Sequence, residues 1–157
     1  MIKIQIPATS ANLGAGFDAL GLALTYYNYI EMEECDKIDI TAADGLDIPT
    51  DERNLIYISA KDLFAVCGKK LEGLKLIQTS NIPMARGLGS SSACIIAGLV
   101  GANKMLGDPL TKDDLVDLAA QIEGHPDNTA PALLGGIVTA VFDERKVHWV
   151  KQEVFTK

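Results

Sequence analysis

Basic residues are in short supply in this 157-residue chain: 14 lysines and arginines stand against 21 aspartates and glutamates, a formal charge of −7. A molecule with this balance repels polyanions, and it has no basic stripe of the kind that tracks a phosphate backbone. Nucleic acid and anionic membrane surfaces are therefore not expected as partners. Long apolar runs are lacking too. The longest, residues 93–106, contains Asn103, Lys104 and two glycines and falls short of the roughly 20 residues needed to cross a bilayer; it reads as a buried helix. Cysteine is scarce and unpatterned. Cys35, Cys67 and Cys94 are odd in number, far apart and without a CxxC spacing, which argues against a disulfide framework or a zinc site and leaves free thiols in or near the core. The opening MIKIQIPATS has no apolar block ending at a small-residue cleavage site, so no secretory leader is expected and a cytoplasmic location is. What the chain does hold is 48% hydrophobic residues, enough for one core, with no repeat or linker to divide it.

The patterning predicts a mixture of strands and helices. Lys3-Ile4-Gln5-Ile6 alternates as a strand ended by Pro7, and residues 17–33 form a long or bent strand. KIDITA at 37–42 alternates again and is expected to pair with that strand as a hairpin. A polar loop over 44–53 leads to a helical stripe from Leu55 to Val66 with Gly68 as its C-terminal cap, then a strand at 74–79. Helices are expected over 93–106, whose Ala97, Gly98 and Gly101 permit close packing, and over 111–123. The second opens on Thr111 as N-cap with Asp114 three residues on, a form of capping box. Strands at 136–142 and 146–151 bracket the turn Asp143-Glu144-Arg145. Without a regular βαβ alternation, the fold class is α+β with a mainly antiparallel sheet backed by helices.

Three segments carry chemistry. The first is Pro83-Met84-Ala85-Arg86-Gly87-Leu88-Gly89-Ser90-Ser91-Ser92-Ala93, between a strand and a buried helix. Glycines allow close backbone approach, a helix N-terminus offers unpaired N–H groups, and the serines add hydroxyls, which together make a phosphate cradle. No lysine follows the second glycine, so it is not a Walker A loop, and charge must come from a divalent cation and Arg86. The plainer alternative is a serine-rich helix cap. The second segment, Gly14-Ala15-Gly16-Phe17-Asp18-Ala19, has dinucleotide-fingerprint spacing, but a β-like run follows where a helix is required, so that reading is rejected. Asn12 and Asp18 there either hold a small hydrophilic ligand or form an Asx-rich turn. The third is Glu123-Gly124-His125-Pro126-Asp127-Asn128. A glutamate at a helix C-terminus opposes the macrodipole, and it can offer Mg²⁺ a hard oxygen; a solvated carboxylate before a turn is the alternative. His125 reads equally as a hydrogen-bonded loop residue, and His148 as a packed strand residue.

Taken together and in this order, the segments resemble the GHMP kinases, small-molecule kinases that include galactokinase, mevalonate kinase and homoserine kinase. PATSANLGAGFDALG, PMARGLGSSSA and EGHPDNTAPALLGG are most similar to the homoserine kinase branch, and the resemblance runs over essentially the whole chain. It implies a fold related to ribosomal protein S5 domain 2, and phosphoryl transfer from ATP to the side-chain hydroxyl of L-homoserine, a step toward threonine. ATP and Mg²⁺ are then required. ATP is assigned to residues 83–93, its triphosphate to the loop from Gly87 to Ser92, with Ser91 and Glu123 as Mg²⁺ ligands, and Asn54 to the adenine pocket. Asn12, Asp18 and Asn128 hold the substrate, Asp18 suiting its ammonium, with Asp18 and Asn128 as the residues of the catalytic step. The family is often dimeric.

The same resemblance implies a protein about twice this long, whose C-terminal domain brings a further glycine-rich motif and arginines for the substrate carboxylate. The chain, 1–157, reads as the N-terminal ATP-binding domain with the C-terminal domain absent, ending at Phe155-Thr156-Lys157 after a hairpin. The expectation is weak ATP binding and poor or no turnover by this polypeptide alone. Another GHMP kinase, or a non-catalytic domain that keeps the fold as a binding module, are the alternatives.

Overall fold

Alternation decides the sheet. In a computed structural model, which describes residues 1–153, Ile4 and Ile6 of the first strand are buried while Lys3 and Gln5 face solvent. Opposite them on the second strand, Ile30 and Met32 are buried beside the outward Tyr29 and Glu31. The period of two sends one set of side chains to the core and the other to water. Strand β1 (Ile2–Ala11) pairs antiparallel with β2 (Leu20–Cys35). Pro7 does not end β1 as the sequence predicts. The strand runs on to Ala11 because the ladder shifts register between Pro7 and Thr9, and an irregularity of this kind accommodates a residue without an N–H.

The sheet is completed by β3 (Ile38–Ala42), β4 (Gly73–Thr79), β5 (Ile137–Asp143) and β6 (Lys146–Gln152), in the order β3-β4-β2-β5-β6 with β1 on β2. β3 is a strand as expected, but its partner is β4, in parallel, and not β2. The reason lies at Gly73. Cys35 of β2 pairs with Gly73, and the chain then crosses the end of β4, where a Cβ on Gly73 would come within 2.4 Å of the Lys37 backbone. With glycine there, Leu74 N–H donates to Lys37 O at 2.9 Å and β3 descends on the far side. Residues 29–32 of β2 pair with both β1 and β4, so these lie on opposite edges; the same holds for β1 and β5 at residues 21–22. β4 and β5 therefore share one edge of β2, at its two ends; Ala23 N–H still donates to Gly136 O at 2.8 Å, and residues 24–28 of that edge are left open.

Helix α1 (Leu55–Val66) connects the parallel pair and ends at Cys67 and Gly68, the latter at φ +67° as a left-handed terminus. Helix α2 (Ser90–Met105) is buried, and its glycines serve two neighbours. A Cβ on Gly98 would strike Ile56 O of α1 at 2.4 Å, and one on Gly101 would strike Met32 Sδ of the sheet at 2.0 Å. α2 starts three residues earlier than predicted, so all three serines belong to its first turn. Helix α3 (Lys112–Glu123) opens with the expected capping box of Thr111 and Asp114. A short α4 (Thr129–Leu134), absent from the sequence reading, follows. The main core lies between the sheet and these helices, and a satellite of Val116, Ala130, Val138 and Ala140 sits under the β5–β6 hairpin. Its turn is Glu144-Arg145, both at positive φ, while Asp143 still pairs with Lys146. The chain end at Phe155-Thr156-Lys157 lies outside the described residues. Among the described residues no helix is long and apolar enough to cross a membrane.

Candidate phosphate and acceptor site

The loop after β4 enters through the open stretch of β2. Asn81 Nδ2 donates to Tyr27 O at 2.9 Å, and Ile82 N–H donates to the buried Asn28 Oδ1 at 2.8 Å. Residues 83–89 then rise, exposed for the most part, with Ala85, Gly87 and Gly89 at φ of +56°, +69° and +65°. Left-handed backbone of this kind turns successive N–H groups toward one side. Gly89 is the N-cap of α2 and provides no side-chain acceptor. The contrast with the neighbouring helices is plain: Asn54 caps α1 and Thr111 caps α3. The first-turn N–H groups of α2 are left for an anion, and the macrodipole favours one.

Ser91 and Ser92 of that turn face the end of α3. Ser91 Oγ donates to Glu123 Oε1 at 2.6 Å and Ser92 Oγ at 3.0 Å. The two residues assigned to Mg²⁺ by resemblance, 32 positions apart, are thus brought together, with Ser92 as a third partner that the sequence reading places only in the phosphate loop. Hydroxyl and carboxylate oxygens are the hard donors Mg²⁺ takes, with phosphates and water completing its shell. Among the described residues no group of three His, Cys, Asp or Glu could hold a metal.

Beside Ser91 opens a cavity of about 290 Å³, lined by Ile48, Pro49, Asn54, Gln78, Met84 and Cys94 among others. Asn54 is buried here, but its amide serves its own chain. Oδ1 accepts from Ile56 N–H and Tyr57 N–H, and Nδ2 donates to Pro49 O at 2.9 Å and to Gln78 Oε1 at 3.5 Å. Gln78, missed by the sequence reading, is the second buried amide of the cavity and reaches Ser80 Oγ at 2.8 Å. Its only signal was a polar residue on the inward side of an alternating strand. Cys94, also missed, has its thiol pushed up to about 11 by burial and by the negative charge of Glu123. Over the cavity, Asp44 holds the 44–53 loop to the end of β4. Its carboxylate accepts from Ser80 N–H at 2.6 Å and Leu46 N–H at 3.1 Å, bonds that keep it below the usual carboxylate range.

Asn128 lies on the other side of the phosphate loop. Thr9 Oγ1, fully buried, donates to Asn128 Oδ1 at 2.8 Å, and Thr9 N–H donates to Leu88 O at 3.1 Å. Gly89 fits between them: a Cβ there would lie 2.0 Å from Thr9 Oγ1 and 3.1 Å from Asn128 Oδ1. The segment 125–128 is held from below by the buried Asp127, whose carboxylate contacts His125 Nδ1, and by the close approach of Gly21 to Asp127 O. Asn12 and Asp18 form a loop of their own, both at positive φ, with Asn12 Oδ1 accepting from Asp18 N–H at 2.8 Å. Among the described residues the exposed Asp18 carboxylate has no hydrogen-bond or ion-pair partner, and no hydrogen bond joins this loop to Asn128. His148 faces solvent on β6 and is not packed as predicted.

The homoserine kinase of Carboxydothermus hydrogenoformans is 50% identical over 157 residues, covering 98% of this chain and 52% of that protein. A solved Listeria monocytogenes chain superposes with a TM-score of 0.85 at 42% identity, over 96% of this chain and 53% of that one. The homoserine kinase structure from Cytophaga hutchinsonii gives 0.82 at 33%, over 96% and 51%. The chain spans about half the length of the curated relatives it matches. The model of the GHMP kinases N terminal domain matches residues 54–136, from the cap of α1 through the phosphate loop to the glycines after α4, and the chain belongs to the GHMP kinase family.

Proposed function

We propose that this chain supplies the nucleotide-binding part, and a share of the acceptor-binding part, of an ATP-dependent homoserine kinase. The observation that carries the reading is the closure of Glu123 onto Ser91 and Ser92 at the uncapped start of α2, beside a mainly apolar cavity of a size for a base. The choice of L-homoserine rests on the relatives named homoserine kinase, which match nearly the whole chain.

In this reading the adenine lies in the cavity over Gln78 and Cys94, and the phosphates meet the N–H groups of residues 83–92. Ser91 and Glu123 would hold Mg²⁺, which supplies neutralisation of the charge on the transferring phosphoryl group. Asp18 takes the ammonium of the acceptor, and Asn12 and Asn128 orient it. The bond from the γ-phosphorus to the bridging oxygen breaks, the acceptor oxygen bonds to phosphorus, and its proton leaves to solvent as ADP departs. Because the transition state is loose, positioning and charge neutralisation carry most of the acceleration and no strong base is demanded.

The test is titration calorimetry of the polypeptide with a non-hydrolysable Mg·ATP analogue, with and without L-homoserine, repeated on Glu123→Ala. Binding that tightens with homoserine and weakens by about tenfold or more in the variant, the scale of one lost charge-assisted contact, is the expected result. Binding indifferent to both overturns it and favours a non-catalytic role.

A further inference from the structure

We infer that Thr9 is a positioning residue for the acceptor site: by holding the carbonyl oxygen of Asn128 it fixes the amide so that its N–H end is presented to the acceptor. The inference rests on the kinase reading above. Thr9 is fully buried, and its hydroxyl hydrogen goes to Asn128 Oδ1 at 2.8 Å across 119 positions of sequence. An asparagine amide has one acceptor end and one donor end. Thr9 fills one of the two lone pairs of Oδ1 and fixes that end toward β1, which leaves Nδ2 turned the other way, and nothing among the described residues accepts from it.

A donor of this kind pairs with oxygen, either the acceptor's hydroxyl or carboxylate or the oxygen being phosphorylated. It does not bind an ammonium, and that work falls to the free carboxylate of Asp18. Thr9 also sets distance. Its backbone N–H is bonded to Leu88 O, and Gly89 packs against its hydroxyl at a spacing that leaves no room for a Cβ. One residue of β1 therefore fixes the acceptor-side amide and the phosphate loop relative to each other, and misplacement by an ångström in such a register is costly to transfer.

The experiment compares the polypeptide with Thr9→Val, which keeps shape and loses the hydroxyl, and Thr9→Ser, which restores it. The readout is the side-chain amide proton pair of Asn128 in nitrogen-15 spectra, without ligand and with Mg·ATP analogue plus L-homoserine. Thermal unfolding is followed alongside. Thr9→Val should shift and broaden the Asn128 pair and abolish its response to ligands; Thr9→Ser should recover both the pair and the response. An Asn128 pair unmoved in Thr9→Val, or Thr9→Ser as damaging as Thr9→Val, overturns the inference. A parent protein whose spectra ignore both ligands overturns the kinase reading instead, and the ligand-free spectra still decide whether Thr9 holds Asn128.

Discussion

Cys94 illustrates how a single residue registers the site around it. Its thiol ionises near 11 because burial and the Glu123 carboxylate both penalise the thiolate. At pH 9, where an ordinary thiol is about half ionised, Cys94 is about one per cent thiolate. Alkylation by iodoacetamide, mapped by mass spectrometry, should therefore keep climbing with pH at Cys94 well beyond the range in which an ordinary thiol levels off. A Cys94 profile that flattens where an ordinary thiol does would mean that the thiol is neither buried nor faced by Glu123. Among the residues assigned by motif, Ser91 and Glu123 meet, and the pairing of Ser92 with Glu123 was within reach of the same motif. Thr9 and Gln78 were not legible. A threonine past the expected end of a strand, or a glutamine within one, has the same pattern whether it is satisfied by water or by a partner far away in sequence, and only the tertiary contact tells them apart.

At the scale of the element, local chemistry was read well wherever it is self-contained. The capping box at Thr111 and Asp114 is present, with Thr111 N–H donating to Asp114 Oδ2 at 2.9 Å and the Thr111 hydroxyl at 2.6 Å. Those bonds hold the Asp114 carboxyl below its ordinary value. A depressed folded value means that its contribution is complete above the ordinary carboxylate range and is lost as pH falls through the lowered one. Asp114→Ala should cost about 1 kcal/mol near neutral pH, the usual worth of a cap. Denaturant unfolding of parent and variant should converge in acid, and a gap that persists there would contradict the cap assignment. The misread elements are those settled by distant partners. β3 was expected beside β2 because hairpins are the commonest outcome for adjacent strands, and the step over Gly73 that sends it to β4 depends on the Lys37 backbone arriving there. α4 is six residues long with Pro131 inside it, too short for a period to declare itself.

At the scale of the whole molecule, the α+β class and the helix-backed antiparallel sheet follow from alternation and helical stripes, whereas the sharing of one β2 edge by β4 and β5 does not. Strand order is a property of the assembled sheet, and no window of sequence contains it. That arrangement bears on the order of events in folding. The β1–β2 ladder and the β3-α1-β4 unit close over short stretches of chain, but Leu20 must find Thr139 and Thr9 must find Asn128, the latter across 119 positions. Contacts of such separation exact their loop-closure entropy before returning any stabilisation, so they form late. Pulse-labelled hydrogen exchange during refolding should protect Ile30 and Leu76 before Ala140, and simultaneous protection would refute the order. During synthesis the same logic makes the proposed nucleotide site a late acquisition: residues 83–93 are translated well before Glu123 and Asn128, and a nascent chain holds the motif without the partners that close on it.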